Sequence, residues 1–285
     1  MKKILFFGLI ACLFLTGCIK RDSMEDITIY TSVYPIEYIT SRLYGDNSIV
    51  KSIYPDGVIP KIYSLNDKQL KDYSKSDLFI FNGLSNEKDY LMTMLGYNKD
   101  LKIIDSTLSM EYSSNVEELW LDPDNALMLS RNIKSGLFEY ISNHYLRNDI
   151  NENYEALKIE LSNLSAKLNL VSSSSSDPTI VVSNNMFNFL EKYGFNVISL
   201  DAGSSTDKNI AEARRRIERG NTKHLFIVKD EDLSSSVKSL IDDTGVETLE
   251  FHSLSSISDN ERSNKKDYVS IMLENIDLLR QELYK

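Results

Sequence analysis

Glu118-Leu119-Trp120-Leu121-Asp122-Pro123 marks where an irregular stretch gives way to the first of two long helical patterns. Asp122 suits a helix cap and Pro123 the first helical position, where its missing amide hydrogen would have no partner anyway. Behind them Ala126, Leu129, Ile133, Leu137 and Tyr140 recur at three- and four-residue steps, which predicts a helix from about 123 to 146. Next, Ile150, Tyr154, Leu157, Leu161, Leu164 and Leu168 form a stripe sustained over about 20 residues, roughly 30 Å of helix. That is long enough to bridge two domains. Trp120, held between Leu119 and Leu121, reads as core rather than ligand contact.

On either side, short β-branched runs alternate with helical patterns. Strands are expected at Ile27 to Val33, Ser48 to Tyr54, Asp77 to Asn82 and Leu101 to Asp105, then at Thr179 to Ser183, Asn196 to Asp201, His224 to Lys229 and Glu247 to Phe251. Helices are expected from Pro35 to about Tyr44, after a capping box at Ser64 and Asp67, and near 184 to 193, 207 to 219, 233 to 243 and 264 to 283. Such alternation predicts an α/β protein with two lobes of parallel sheet and flanking helices, joined by one long bridging helix. The five-serine run Ser172 to Ser176, closed by Asp177-Pro178, is a loop. The expected layout is an N-terminal βα lobe over 27–147, the bridging helix over 148–171 and a C-terminal βα lobe over 172–285.

The chain opens with Lys2 and Lys3 followed by an apolar run from Ile4 to Leu15, too short to span a bilayer and suited to a signal-peptide core over residues 1–17. Leu15-Thr16-Gly17-Cys18 has the form of a lipobox, so Cys18 is the expected lipidation site and residues 18–26 a polar tether. Cleavage there discards Cys12 and lipidation consumes Cys18, which excludes disulfides, cysteine nucleophiles and zinc thiolates from the mature chain. Removing two lysines takes the formal charge from −10 to −12, which argues against nucleic acid and against a polybasic membrane contact. Membrane attachment then falls to the acyl chains, on the extracytoplasmic face of the cell membrane.

Four segments resemble the cluster A-I substrate-binding lipoproteins that serve zinc and manganese ABC importers. Gly57-Val58-Ile59-Pro60-Lys61-Ile62-Tyr63 is similar to that family's G-V-x-P-H-x-Y, with Lys61 in place of the histidine. The 118–123 stretch resembles H-x-W-L-D-P with Glu118 in place of another. Val181 to Phe187, followed by Tyr193-Gly194, resembles the segment carrying a third histidine, and its equivalent position is Asn184 or Ser183. Gly245 to Glu250 is similar to T-G-x-x-x-x-x-L-D-P-L, with Glu250 at the acidic ligand. The resemblance covers nearly the whole mature chain. It implies a ligand cleft between the lobes formed by Lys61, Glu118, Asn184 and Glu250, with zinc or manganese as transported ligand and an ABC permease as membrane partner.

Glu118 and Glu250 remain as candidate metal carboxylates, whereas an ammonium at Lys61 has no lone pair to donate and repels a divalent cation. One arrangement accounts for the substitutions jointly: Lys61 lies between Glu118 and Glu250 as an internal salt bridge in the space a metal would fill. His144, His224 and His252 are scattered without ligand spacing, although His252 lies two residues from Glu250. Arg214-Arg215-Arg216, with Glu212 and Glu218 nearby, reads as a solvated helix face. No G-x-S-x-G, P-loop, G-x-G-x-x-G or HExxH is present, so catalysis is not expected. The expected function is therefore cargo capture by a monomeric surface lipoprotein of a zinc/manganese-type import system. The alternative is a derived member that binds no metal and acts in adhesion or as an accessory protein, or holds another small ligand through Lys61.

Overall fold

The computed structural model describes residues 22–112, 115–201 and 203–284. The expected signal peptide and Cys18 lie outside these residues. Two four-stranded parallel sheets form the two lobes. The first contains β1 (Ile27–Thr31), β2 (Ser48–Ser52), β3 (Leu78–Phe81) and β4 (Lys102–Asp105), ordered β2-β1-β3-β4. The second contains β5 (Thr179–Val182), β6 (Asn196–Ser199), β7 (His224–Val228) and β8 (Glu247–Phe251), ordered β6-β5-β7-β8. Both halves thus place their first strand between the second and third, and the order in which strands are added reverses there while all strands stay parallel. β3 and β5 are buried along their whole length, as interior parallel strands with both faces covered must be.

Helix α1 (Tyr34–Tyr44) follows β1, α2 (Asp67–Tyr73) follows β2 and α3 (Glu87–Tyr97) follows β3. The capping box of α2 is formed by Asn66 and Gln69 rather than by Ser64 and Asp67: each side chain accepts the other's backbone N–H at 3.0 Å. An asparagine carbonyl adjacent to the helix outcompetes a serine two residues further out. After β4, the short α4 (Glu118–Leu121) leads into α5 (Pro123–Tyr140), where Asp122 caps as expected, accepting from Asp124 N at 2.9 Å.

Helix α5 ends six residues before the expected 146. Asn143 caps a new helix by accepting from Tyr145 N, and Arg147 donates to the carbonyls of Phe138 and Ile141 that the break leaves without helical partners. The long helix α6 (His144–Ser173) is therefore longer than the stripe from 148 to 171. Its apolar face is fully buried and packs on α1 and α5 from the first lobe and on α10 from the second.

In the second lobe, residues Asn185–Tyr193 form a 3-10 stretch rather than an α-helix, closed by Gly194 at φ 87°. Helices α7 (Thr206–Glu218) and α8 (Ser235–Thr244) cover the far face. Along α7, Arg214 pairs with Asp243, Arg215 with Glu212 and Arg216 with Asp177. The helix expected over 264–283 is two helices, α9 (Asp259–Ser263) and α10 (Tyr268–Leu283), because Asp267 restarts the chain as an N-cap accepting from Ser270 N at 2.8 Å.

One expectation about the tether changes. Met24 is fully buried, and Asp22 accepts from Ser142 N, Ser142 Oγ and Asn143 N at 2.6–2.8 Å, fastening residues 22–26 to the turn between α5 and α6. These hydrogen bonds hold the Asp22 carboxyl below its usual range against the opposing effect of burial.

Candidate ligand cleft

In parallel sheets, ligands bind beyond the carboxyl ends of the strands, where strand order reverses. Both lobes obey this rule toward one another. The loops after β2, β3, β4 and α3's own start meet the loops after β7 and β8 around a cavity of about 450 Å³. From the first lobe come Tyr54, Lys61 and Tyr63 after β2, Ser85 and Glu87 after β3, and Tyr112 and Glu117 beyond β4. From the second come Glu231 and Ser255. A second cavity of about 320 Å³ adjoins it through Ile59, Glu231 and Ser255 and is lined by Lys229, His252 and Glu261.

The loop after β2 takes its course from Gly57, whose φ of 76° favours a residue without a side chain and whose N–H donates to Ile257 O of the other lobe at 2.8 Å. Trp120 is 2% exposed yet forms part of the cleft wall, with Nε1 donating to Ser253 O at 2.9 Å. Its carbonyl accepts from the Tyr268 hydroxyl. The tryptophan is thus core on one side and cleft on the other.

The four expected cleft residues do not converge. Lys61 lines the cavity. Glu118 turns inward and is 7% exposed, with Glu117 in its place on the cavity wall, because one residue along a helical turn rotates the side chain by about 100°. Asn184 Oδ1 caps the 3-10 stretch by accepting from Met186 N, and its Nδ2 donates to Glu231 at 3.3 Å, so it touches the cleft through that glutamate. Ser183 is buried, and among the described residues its hydroxyl has no partner. Glu250 lies within β8 on its exposed side, while the loop beyond the strand supplies Ser255. Among the described residues no ion pair joins Lys61 to Glu118 or Glu250, so the expected internal salt bridge is not formed. Nor does any group of three His, Cys, Asp or Glu among them have the geometry to hold a metal ion.

Two carboxylates that the motifs did not single out dominate the electrostatics. Glu87, at the start of α3, is buried against the cavity, and desolvation pushes its carboxyl up to about 7, against hydrogen bonds from neighbours that include Ser85 and Tyr54. The Ser85 hydroxyl lies 2.6 Å from Glu87 Oε2 and 2.9 Å from Asn82 O. It has one proton for two acceptors, a shortage that a protonated Glu87 removes by donating to Ser85. Burial also raises Glu231, with the positive charge of Lys61 opposing the rise and the negative charge of Glu117 adding to it. In the adjoining cavity, Lys229 and the Ser258 donors hold Glu261 down at about 2 despite burial, and burial lowers His252, which stands 3.4 Å from Glu261. His224 is bound away from the cleft by Glu282 at 2.9 Å. No sequence motif marks Glu87, Glu117 or Glu231; for Glu87 and Glu231 a position shortly after a strand end is the available signal, and Glu117 has none.

The profile of the family described as ZnuA, zinc-uptake complex component A periplasmic, matches residues 29–282. The chain belongs to this family. It is 22% identical over 311 residues to the zinc-binding lipoprotein AdcA of Streptococcus pneumoniae strain R6, a match that covers 99% of this chain and 61% of that protein. The chain therefore spans about 61% of the length of the curated AdcA relatives it matches. Among solved structures, the metal-dependent lipoprotein YcdH of Bacillus subtilis superposes with a TM-score of 0.76 at 18% identity, covering 91% of this chain and 100% of the other. The Zn(II)-bound ZnuA-like domain of S. pneumoniae AdcA superposes with a TM-score of 0.73 at 21% identity, again covering 91% and 100%. Both likenesses agree with the two-lobe fold.

Proposed function

We propose that this ZnuA-family protein is the substrate-binding subunit of a zinc/manganese-type ABC import system, anchored by acyl chains on Cys18 to the extracytoplasmic face of the membrane. It works as a monomer that presents cargo to a permease, with no catalytic step. The observation that carries this reading is the meeting of strand-end loops from both sheets on one cleft, the geometry by which a two-lobe protein encloses a small ligand. In this chain the cleft bears Lys61, Glu117 and Glu231, and among the described residues no imidazole lines the larger cavity. That lining favours a second reading, in which the scaffold captures a cargo other than a bare metal ion.

Calorimetric titration of a chain beginning at Ile19 with zinc and with manganese separates the two. Submicromolar binding that is lost in the double variant Glu117→Ala, Glu231→Ala supports metal capture by the cleft. Absence of heat with both metals supports the second reading and rules out the first.

A further inference from the structure

Resting on the second reading, capture in the cleft of a cargo other than a bare metal ion, we infer that this cargo is a small organic cation, a protonated amine or quaternary ammonium, with Glu117 and Glu231 as its counter-charges against an aromatic wall. Three independent observations lead there.

The first is size. A cavity of about 450 Å³ beside one of about 320 Å³ greatly exceeds what a single ion requires, since one water claims only about 30 Å³ of liquid. It falls in the range of about 300–1,000 Å³ typical of small organic ligands.

The second is the wall. Tyr54, Tyr63, Tyr90, Tyr112 and Trp120 all line the larger cavity. Two of their polar groups already donate, Tyr112 Oη to Leu84 O at 3.4 Å and Trp120 Nε1 to Ser253 O at 2.9 Å, while Tyr63 Oη accepts from Gln69 Nε2 at 3.1 Å and Tyr90 Oη from Leu65 N at 3.4 Å. A cargo therefore meets mostly ring surface, which attracts desolvated organic cations through its quadrupole. Tyr54 and Tyr63 stand nearly perpendicular at 81°, with centroids 6.2 Å apart, and form one corner of this wall.

The third is charge. Among the described residues neither Glu117 nor Glu231 has an ion-pair partner within 4 Å, and the nearest donor to Glu231 is the neutral Asn184 amide at 3.3 Å. The two carboxylates disfavour one another's charge across the lobes, and Lys61 is the cation that opposes this. The lining has one basic side chain, Lys61, against the carboxyls of Glu87, Glu117 and Glu231, an excess of acid that a cation offsets and an anion worsens.

The chain has a single tryptophan, and it stands in the cleft wall, so its fluorescence reports occupancy directly. The full chain in non-ionic detergent is titrated with choline, with putrescine, and separately with zinc and manganese. We expect a saturable change in Trp120 emission with at least one amine, and at least tenfold weaker binding in Glu117→Gln and in Glu231→Gln. Lys61→Gln should bind several-fold more tightly because a repelling charge is gone, and Glu152→Gln, exposed on α6, should match the parent. Equal melting temperatures among these variants show that folding is not the cause. The inference is overturned if neither amine alters the emission, if the glutamine variants bind as the parent does, or if Lys61→Gln weakens binding, which would indicate an anionic group on the cargo. If zinc or manganese saturates the signal and the glutamine variants abolish it, the cleft remains a cargo site and only the cargo class is wrong. If no probe disturbs Trp120, the cargo-site reading falls as well.

Discussion

Glu87 is a carboxyl that prefers to stay neutral, and this has a definite sign for stability. Its value in the fold is raised to about 7 from an ordinary 4.5, chiefly by desolvation. Between those values the native state holds a proton that the unfolded chain has released, so stability falls as pH rises through that window and levels off above it. A shift of this size corresponds to about 3 kcal/mol for a fully buried group. Urea unfolding of Glu87→Gln, a neutral isostere, should show a shallower decline from pH 4.5 to pH 8 than the parent. Parallel curves for the two proteins would refute the assignment. Glu118 and Glu250 illustrate what a motif conveys at this scale: each lies within one turn or one loop of the cleft, yet helical rotation turns the first inward and strand position leaves the second outside. A motif transmits the approximate location of a loop, whereas the direction of a side chain depends on how the local element begins.

At the scale of elements, strand positions were the most legible part of the sequence. Each of the eight strands lies inside its expected stretch, because β-branched runs flanked by turn residues have few other conformations available. Helix ends were less legible. The break at Ile141–Asn143 and the separation of α9 from α10 both arise where a capping side chain, Asn143 or Asp267, competes with an unbroken apolar period. The apolar stripe does form the long helix α6 that joins the lobes, and its energetics follow from burial. Leu161 is 1% exposed on α6, the helix against which α1, α5 and α10 pack. Leu161→Ala should lower unfolding free energy by about 2–5 kcal/mol in denaturant titration, the range for a core leucine whose cavity cannot fully collapse. A loss below about 1 kcal/mol would mean that the seam is loosely packed.

At the scale of the molecule, the lobes are joined by more than the long helix. Arg262 of α9 reaches across to Glu37 of α1 at 2.9 Å and to Asp56 at 2.6 Å, and Tyr268 stacks on Tyr38 with ring centroids 5.5 Å apart. Lys192 likewise meets Asp122 and Asp124. Burial already raises Glu37 above its usual value in spite of Arg262. Arg262→Met would leave that carboxylate unpaired and raise it further, so the variant should lose about 1 kcal/mol near pH 7, a modest figure because the arginine is half exposed to screening solvent. The loss should shrink as pH drops below 4.5, where Glu37 is protonated whether folded or not. Melting temperatures of parent and variant at pH 7 and pH 4 test this, and an equal deficit at both would show that the contact does not act through the charge of Glu37.

The clamp that Asp22 makes on the turn before α6 also bears on the proposed attachment to a cell surface. With acyl chains on Cys18, only four peptide steps would separate lipid from folded chain, a leash of about 14 Å at full stretch. A protein so tied cannot sweep a wide volume above the bilayer. Were the proposed anchor in place, it would stay within one molecular diameter of the headgroups, and a membrane-embedded receiver would meet it by lateral diffusion in two dimensions rather than by search through the surrounding medium.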